Sequence, residues 1–191
     1  MLLLYIVQGI NQSSIHPDRW KLQKTTFICQ SKLQDKKINA LTYSFYRDKH
    51  GPMTTGIYDD TSAMIDCKYM ANQYDPRMRY KGIEFLKECS HIFNLNKTTM
   101  QVVNSILEMV QGLTGENLKK LCYEYTVDFF GMKVAIKNLS IYSQILPKFV
   151  PNSAKFIIPD DELDDLLLAL NPKLCEGLRI ASHQRATKLI C

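Results

Sequence analysis

The sequence lacks the features that most metal-binding, nucleotide-binding or membrane-spanning chains need. No two cysteines have the Cys-x-x-Cys spacing, and no two histidines have the His-x-x-x-His spacing, of common zinc sites. There is no glycine-rich phosphate loop. The apolar opening run, Met1 to Val7, is much shorter than the ~20 residues of a spanning helix and has no basic leader. These absences predict a soluble protein with no catalytic site, metal or cofactor.

The net charge and the cysteine content further limit the class of protein to which this sequence can belong. The 191 residues carry a formal net charge of only +5, which is too mild to predict strong nucleic-acid binding. With 46% hydrophobic residues the chain can bury a real core. Most of the six cysteines fall inside apolar helical runs, which is typical of reduced thiols in a cytoplasmic protein.

The first half of the chain predicts helices around one strand. Pro17 suits the first turn of a helix over residues 17–34, after a short apolar helix at 2–10. Apolar residues alternate along residues 41–46, as in a half-buried strand. Gly51-Pro52 then predicts a turn followed by a third helix that ends near Ile65.

An aromatic and basic stretch, residues 67–82, predicts a hairpin that turns at Tyr74-Asp75-Pro76. Further helices are predicted from apolar spacing, at residues 83–92, 103–110, 118–125 and, less clearly, 134–145. The order helix, helix, strand, helix, hairpin is that of a winged-helix core. We therefore expect a mainly α protein with a small β-hairpin and a C-terminal helical arm.

The last part of the chain predicts that arm. Pro147 to Ser153 reads as a linker, which divides a domain at 1–146 from C-terminal helices at 147–191. Four leucines at helical spacing form an apolar stripe backed by acids: Leu163, Leu166, Leu167 and Leu170. A basic final helix is predicted over residues 173–188. The arm either packs on the core or docks into a groove of a partner.

Two sets of basic residues are candidate contacts. Lys21 and Lys24 share one face of the second helix and either contact a partner or form a solvated face. On the predicted hairpin, strand alternation would place three cations on one side, where they could touch DNA phosphates, with a fourth nearby: Arg77, Arg79, Lys81 and Lys68.

The segment Arg19-Trp20-Lys21-Leu22-Gln23-Lys24-Thr25-Thr26-Phe27-Ile28-Cys29-Gln30 resembles the Lys-Leu-Gln-Lys helix of the Panacea antitoxin family, which includes phage-associated GepA-like and SocA-like proteins. Gly51-Pro52 followed by Ile57-Tyr58 is similar to a second segment of that family, and residues 113–121 are similar to a later helix. The likeness covers residues 2–130. Thr25-Thr26 stands where the family has an apolar pair.

The resemblance implies a cytoplasmic antitoxin that neutralises a partner protein by direct contact, the partner being a toxin encoded nearby. The alternative is a winged-helix transcriptional regulator that binds DNA through the basic hairpin. A homo-oligomer is compatible with either hypothesis.

Overall fold

A computed structural model describes residues 1–13 and 18–170. The predicted helix start at Pro17 and the predicted final helix at 173–188 lie outside the described residues. The helices are α1 (Leu2–Ser13), α2 (Arg19–Asp35), α3 (Gly56–Asp66), α4 (Tyr80–Glu88), α5 (Ser90–Leu95), α6 (Lys97–Val110), α7 (Gly115–Glu124) and α8 (Asp160–Leu170), with one 3-10 turn at Ile136–Asn138. The strands are β1 (Ile38–Asn39), β2 (Phe45–Asp48), β3 (Gly51–Met53), β4 (Thr126–Phe129), β5 (Met132–Ala135), β6 (Gln144–Leu146) and β7 (Ala154–Lys155).

Helix α2 is the centre of the molecule. Asp18 caps it by accepting a 2.7 Å hydrogen bond from the Lys21 N–H. The helix packs against α1, α6, α7 and β3, and nearly all of its residues are buried. Neighbouring elements cover the helix on most sides, including the face of Lys21 and Lys24, which the sequence predicted to be solvated or to contact a partner.

The apolar pattern predicted for residues 103–110 was confirmed most closely. Val103, Ile106, Leu107 and Val110 all lie on the buried face of α6. The described residues form a mainly α structure with small sheets, which confirms the coarse fold class. None of their helices is long and apolar enough to cross a membrane.

Gly51-Pro52 does not begin a helix as predicted. The pair lies in β3, which is antiparallel to β2 with Asp48 opposite Gly51. Gly51 has φ +101°, a conformation outside the helical region and one that glycine adopts without a steric cost. Pro52 is tolerated because β3 is an edge strand in the order β3-β2-β6. Helix α3 begins only at Gly56.

The hairpin predicted at residues 67–82 is also wrong. Only a single bridge, Met70 to Met78, remains of it, and α4 begins at Tyr80. The side chain of Asn11 makes hydrogen bonds that a second strand would otherwise make. Its amide donates to the Pro76 carbonyl, and its oxygen accepts from the Met78 N–H. The long hairpin is instead β4–β5, most of which lies between the helices predicted at 118–125 and 134–145. The helix predicted at 134–145 is wrong, because those residues form the end of β5, the 3-10 turn and most of β6.

Five side-chain amides hold the loops to the helical body. Each donates to a backbone carbonyl and accepts from a backbone N–H of one distant segment, at 2.7–3.1 Å, and Gln30 and Asn96 also donate to a second carbonyl. We call these paired contacts amide clamps. They satisfy loop backbone groups that no strand partner reaches. The clamps join Asn11 to Pro76 and Met78, Gln23 to Thr54, Gln30 to Tyr43, Asn39 to Val150, and Asn96 to Ile157.

The segment after Pro147 is bound to the body at several points. Gln30 and Gln34 both donate to the Pro147 carbonyl. Strand β7 pairs in parallel with β1, and the Tyr69 hydroxyl donates to the Ala169 carbonyl at 3.0 Å. Residues 147–170 are therefore packed on the body, although a division at 146/147 into separately folding parts stays a prediction.

An ion pair also ties α8 to the short helix α5. His91 Nε2 lies 2.7 Å from a Glu162 carboxylate oxygen, and His91 Nδ1 lies 3.0 Å from the Glu88 carbonyl. Both partners are acceptors, and only the protonated ring can donate from both nitrogens. The hydrogen bond to Glu162 accordingly raises the pKa of His91.

We expect the stability supplied by this pair to be pH-dependent. Because the folded pKa of His91 is raised, the contribution is fully present below the unfolded value of ~6.5 and is lost as pH rises through the folded pKa. The difference in melting temperature between wild type and Glu162→Gln should thus be larger at pH 5.5 than at pH 8.5. Titration of His91 by NMR should show its pKa falling in the variant, and an unchanged pKa would contradict the assignment.

Candidate partner-binding surface

The two lysines predicted as partner contacts are buried. Lys21 is 3% exposed and donates to the Leu113 carbonyl at 3.2 Å, and Lys24 is 2% exposed with its ammonium 5.1 Å from the centre of the Trp20 ring. Burial lowers the pKa of both lysines. Neither forms a solvated face or a contact surface as predicted. Lys21 joins α2 to the α6–α7 loop, and Lys24 lies over a ring one turn earlier on the same helix.

The basic hairpin residues do not form a stripe. Arg77 pairs with Asp75 at 2.8 Å, and Lys81 donates to the Cys67 carbonyl at 3.1 Å beneath the Tyr69 ring. Arg79 is the residue before α4, and Lys68 follows α3 in a left-handed conformation. Without two paired strands the predicted alternation is lost, so this DNA-contacting arrangement is absent from the described residues.

The four leucines of α8 are divided between two sides. Leu166 is 9% exposed and belongs to the core, and Leu170 packs against it while half-buried. Leu163 and Leu167, one helical turn apart, are 40% and 46% exposed. The four leucines therefore do not share one environment: the inward pair packs on the core, as one of the two alternatives expected, and only the Leu163–Leu167 pair faces outward.

The most exposed large apolar side chain in the described chain lies on the β4–β5 hairpin. Phe130 and Gly131 form its two-residue turn, and both have positive φ, +53° and +82°. This is the pattern of a type I′ turn, in which asparagine or aspartate is favoured at the first position. Phe130 is 90% exposed, and Met132 beside it is 63% exposed. We call these two residues the hairpin tip.

A groove of about 430 Å³ runs between the hairpin and β6. Its apolar wall includes Phe129, Ile145 and Leu146. Strand β6 is an edge of the three-stranded sheet, so a strand edge borders this groove. Tyr142 and Phe149, which flank the lining residues in sequence, are 77% and 62% exposed. The tip and the groove form one aromatic-rich face, the tip surface.

The described residues contain no group of three or more His, Cys, Asp or Glu side chains that could hold a metal ion. The thiols of Cys29 and Cys122 are fully buried, and burial raises the pKa of Cys122 to about 12. A thiol with such a pKa stays protonated near neutral pH and is a poor nucleophile.

Sequence reasoning missed the hairpin tip, although a signal was present. Residues 126–135 alternate in character around Gly131, which is the pattern of a hairpin with a glycine turn. The usual Asn-Gly signature is missing because a phenylalanine stands at its first position. Because phenylalanine stands where asparagine is usual, the sequence pattern did not indicate the turn. The same phenylalanine makes the tip of the hairpin apolar.

Comparisons with protein-family models, with curated proteins and with solved structures return no match to this chain. The tip surface is therefore interpreted from its own chemistry.

Proposed function

We propose that this chain is a cytoplasmic antitoxin-like protein that binds a partner protein by direct contact, and that the tip surface makes this contact. The antitoxin part rests on the resemblance of residues 19–30 to the Panacea family. The observation that carries the location is Phe130, an exposed aromatic side chain at a left-handed turn position. The partner of such a protein is a toxin encoded nearby.

Phe130 is difficult to explain by folding alone. A left-handed conformation costs an ordinary residue roughly 1–2 kcal/mol, and asparagine would reduce that cost. Because the Phe130 ring is exposed, the free protein buries little of its surface. Its ring contact within the described residues is edge-on to Phe129, with the ring centres 4.7 Å apart. Aromatic side chains at the centre of an interface commonly dominate its binding energy. A role in binding accounts for both the strain and the exposure.

DNA binding by a winged helix is the alternative, and one feature favours it. Helix α7 is followed directly by the β4–β5 hairpin, which is the order of a recognition helix and its wing. Two of the four cations there are paired, however, Lys120 with Glu116 and Lys137 with Glu124, which leaves Lys119 and Lys133 without a carboxylate partner among the described residues. About two unpaired cations allow few phosphate contacts, so we expect duplex binding to be weak and salt-sensitive.

Replacing Phe130 by asparagine should separate binding from stability. Phe130→Asn places the favoured residue in the turn, so the melting temperature should stay the same or rise. Loss of an aromatic anchor should weaken partner binding by about 2 kcal/mol, or roughly 30-fold. The measurement is growth rescue when the chain and its variants are co-expressed with the neighbouring toxic gene product, followed by titration of the purified pair.

Tyr74→Asn is the matched control, because Tyr74 is 68% exposed but lies outside the tip surface. It should rescue growth as well as wild type does. Rescue by Phe130→Asn at the wild-type level would remove the tip surface from the proposal. Failure of the wild-type chain to neutralise the neighbouring product would argue against the antitoxin function itself.

A further inference from the structure

A second groove, remote in sequence from the hairpin tip, lies where α6 begins. It has a volume of about 390 Å³ and is lined by residues of the α5–α6 junction and of the β1–β7 pair. Two of its lining residues are lysines, Lys97 and Lys155, and none is acidic. Among the described residues, neither lysine has a carboxylate partner. The groove is therefore positively charged.

The first turn of α6 points unpaired donors at this groove. Its first backbone bond runs from the Met100 N–H to the Asn96 carbonyl, so the N–H groups of Lys97, Thr98 and Thr99 have no acceptor within the described chain. Asn96 precedes the helix but does not cap it, because its side chain clamps Ile157 instead. An anion is the natural acceptor at such a helix end.

A polar residue that is almost entirely buried provides independent support. Thr99 is only 4% exposed and lines the groove, yet its hydroxyl makes no hydrogen bond within the described part of the chain. Its hydroxyl oxygen is not enclosed in the core, so it opens onto the groove, where a ligand can reach it. The hydroxyl lies on the same helical turn as the free N–H groups. The oxygens of one ligand group could therefore accept hydrogen bonds from both.

The rest of the groove is apolar. Ile38 is buried at its wall, and Leu95 and Ile157 are 53% and 56% exposed at its edge. A small inorganic anion would use only the polar end and leave this wall uncovered. A ligand with a carboxylate beside an aliphatic side chain would use both parts.

We propose that this groove binds the C-terminal end of a peptide chain that finishes in an aliphatic residue. The terminal carboxylate accepts from the α6 N–H groups and the Thr99 hydroxyl and is neutralised by Lys97 and Lys155. The last side chain lies against Leu95 and Ile157. Capture of a terminal carboxylate by free backbone N–H groups is an established mode of peptide recognition. The site does not depend on the tip surface or on an antitoxin function.

The test is an NMR titration of the full chain with three probes: N-acetyl-Ala-Leu as the free acid, the same dipeptide as its C-terminal amide, and inorganic phosphate. The free acid should shift the amide signals of residues 97–99, and the C-terminal amide should not. Thr99→Val keeps the shape and removes the hydroxyl, so it should weaken binding of the free acid about tenfold. Lys155→Gln should weaken it severalfold, whereas Lys49→Gln, an exposed control elsewhere, should not.

Equal binding of the acid and the amide would overturn the proposal, since only the apolar wall would then be in use. Binding of phosphate without the free acid would also overturn it, and would make the groove a site for inorganic anions. No shift with any probe would overturn the proposal as well, because the first turn of α6 would then bind none of these ligands. If Thr99→Val does not fold, Lys155→Gln decides the question, because Lys155 is exposed on β7.

Discussion

Gln30→Met is expected to lower the free energy of unfolding by about 3 kcal/mol, or the melting temperature by roughly 6–12 °C. Gln30 is fully buried, and its clamp satisfies both the N–H and the carbonyl of Tyr43 at 2.9 and 2.7 Å. Methionine fills the same volume but leaves both groups without this partner. Each unsatisfied buried group costs about 1–3 kcal/mol. Thermal and denaturant unfolding measure the loss.

Gln34→Met is the matched control on the same helix. Gln34 donates only to the Pro147 carbonyl, which also accepts from Gln30, so that oxygen keeps a partner in the variant. The expected loss is about 1 kcal/mol. Similar losses in the two variants would show that packing around α2, and not the Tyr43 clamp, sets the stability.

The clamps explain which part of the fold could be predicted from the sequence. Helix α6 was found because its apolar residues repeat at helical spacing and its burial is one-sided. Helix α2 was also predicted, at residues 17–34, but its near-complete burial was not, since glutamines and lysines are among its buried residues. Their role depends on distant loops at residues 54, 43, 113 and 147, and nothing in the local sequence identifies those partners.

The candidate sites were harder to predict for a related physical reason. Lys21 and Lys24 were interpreted as surface residues because lysine is almost never fully buried. Their burial is possible because Lys21 donates to a loop carbonyl and Lys24 lies over an indole ring. The groove at α6 was invisible in the sequence, because it requires Lys155 to meet a helix end more than 50 residues away. Such a site becomes visible only when the β1–β7 pair is known.

The second large expected effect on stability comes from substitution of a leucine in α8. Leu166→Asp should destabilise the protein by at least about 3 kcal/mol, because it removes a core side chain and places a carboxylate where Leu166 is 9% exposed. Leu163→Asp changes an exposed position on the same helix and should alter stability by no more than about 0.5 kcal/mol. Paired thermal unfolding curves of the two variants measure the contrast.

The same two variants decide whether α8 is a docking arm or part of the body. A free arm would tolerate both substitutions, and truncation after Asn152 would leave a folded protein. Packing by Leu166 and the hydrogen bond from Tyr69 to Ala169 predict the opposite, so the truncated chain should melt at a much lower temperature or aggregate. If Leu163→Asp keeps its stability but loses partner binding, the outward side of α8 belongs to the interface while its inward side holds the helix in place. Equal, small effects of both substitutions on stability would show that α8 is not anchored to the body in solution.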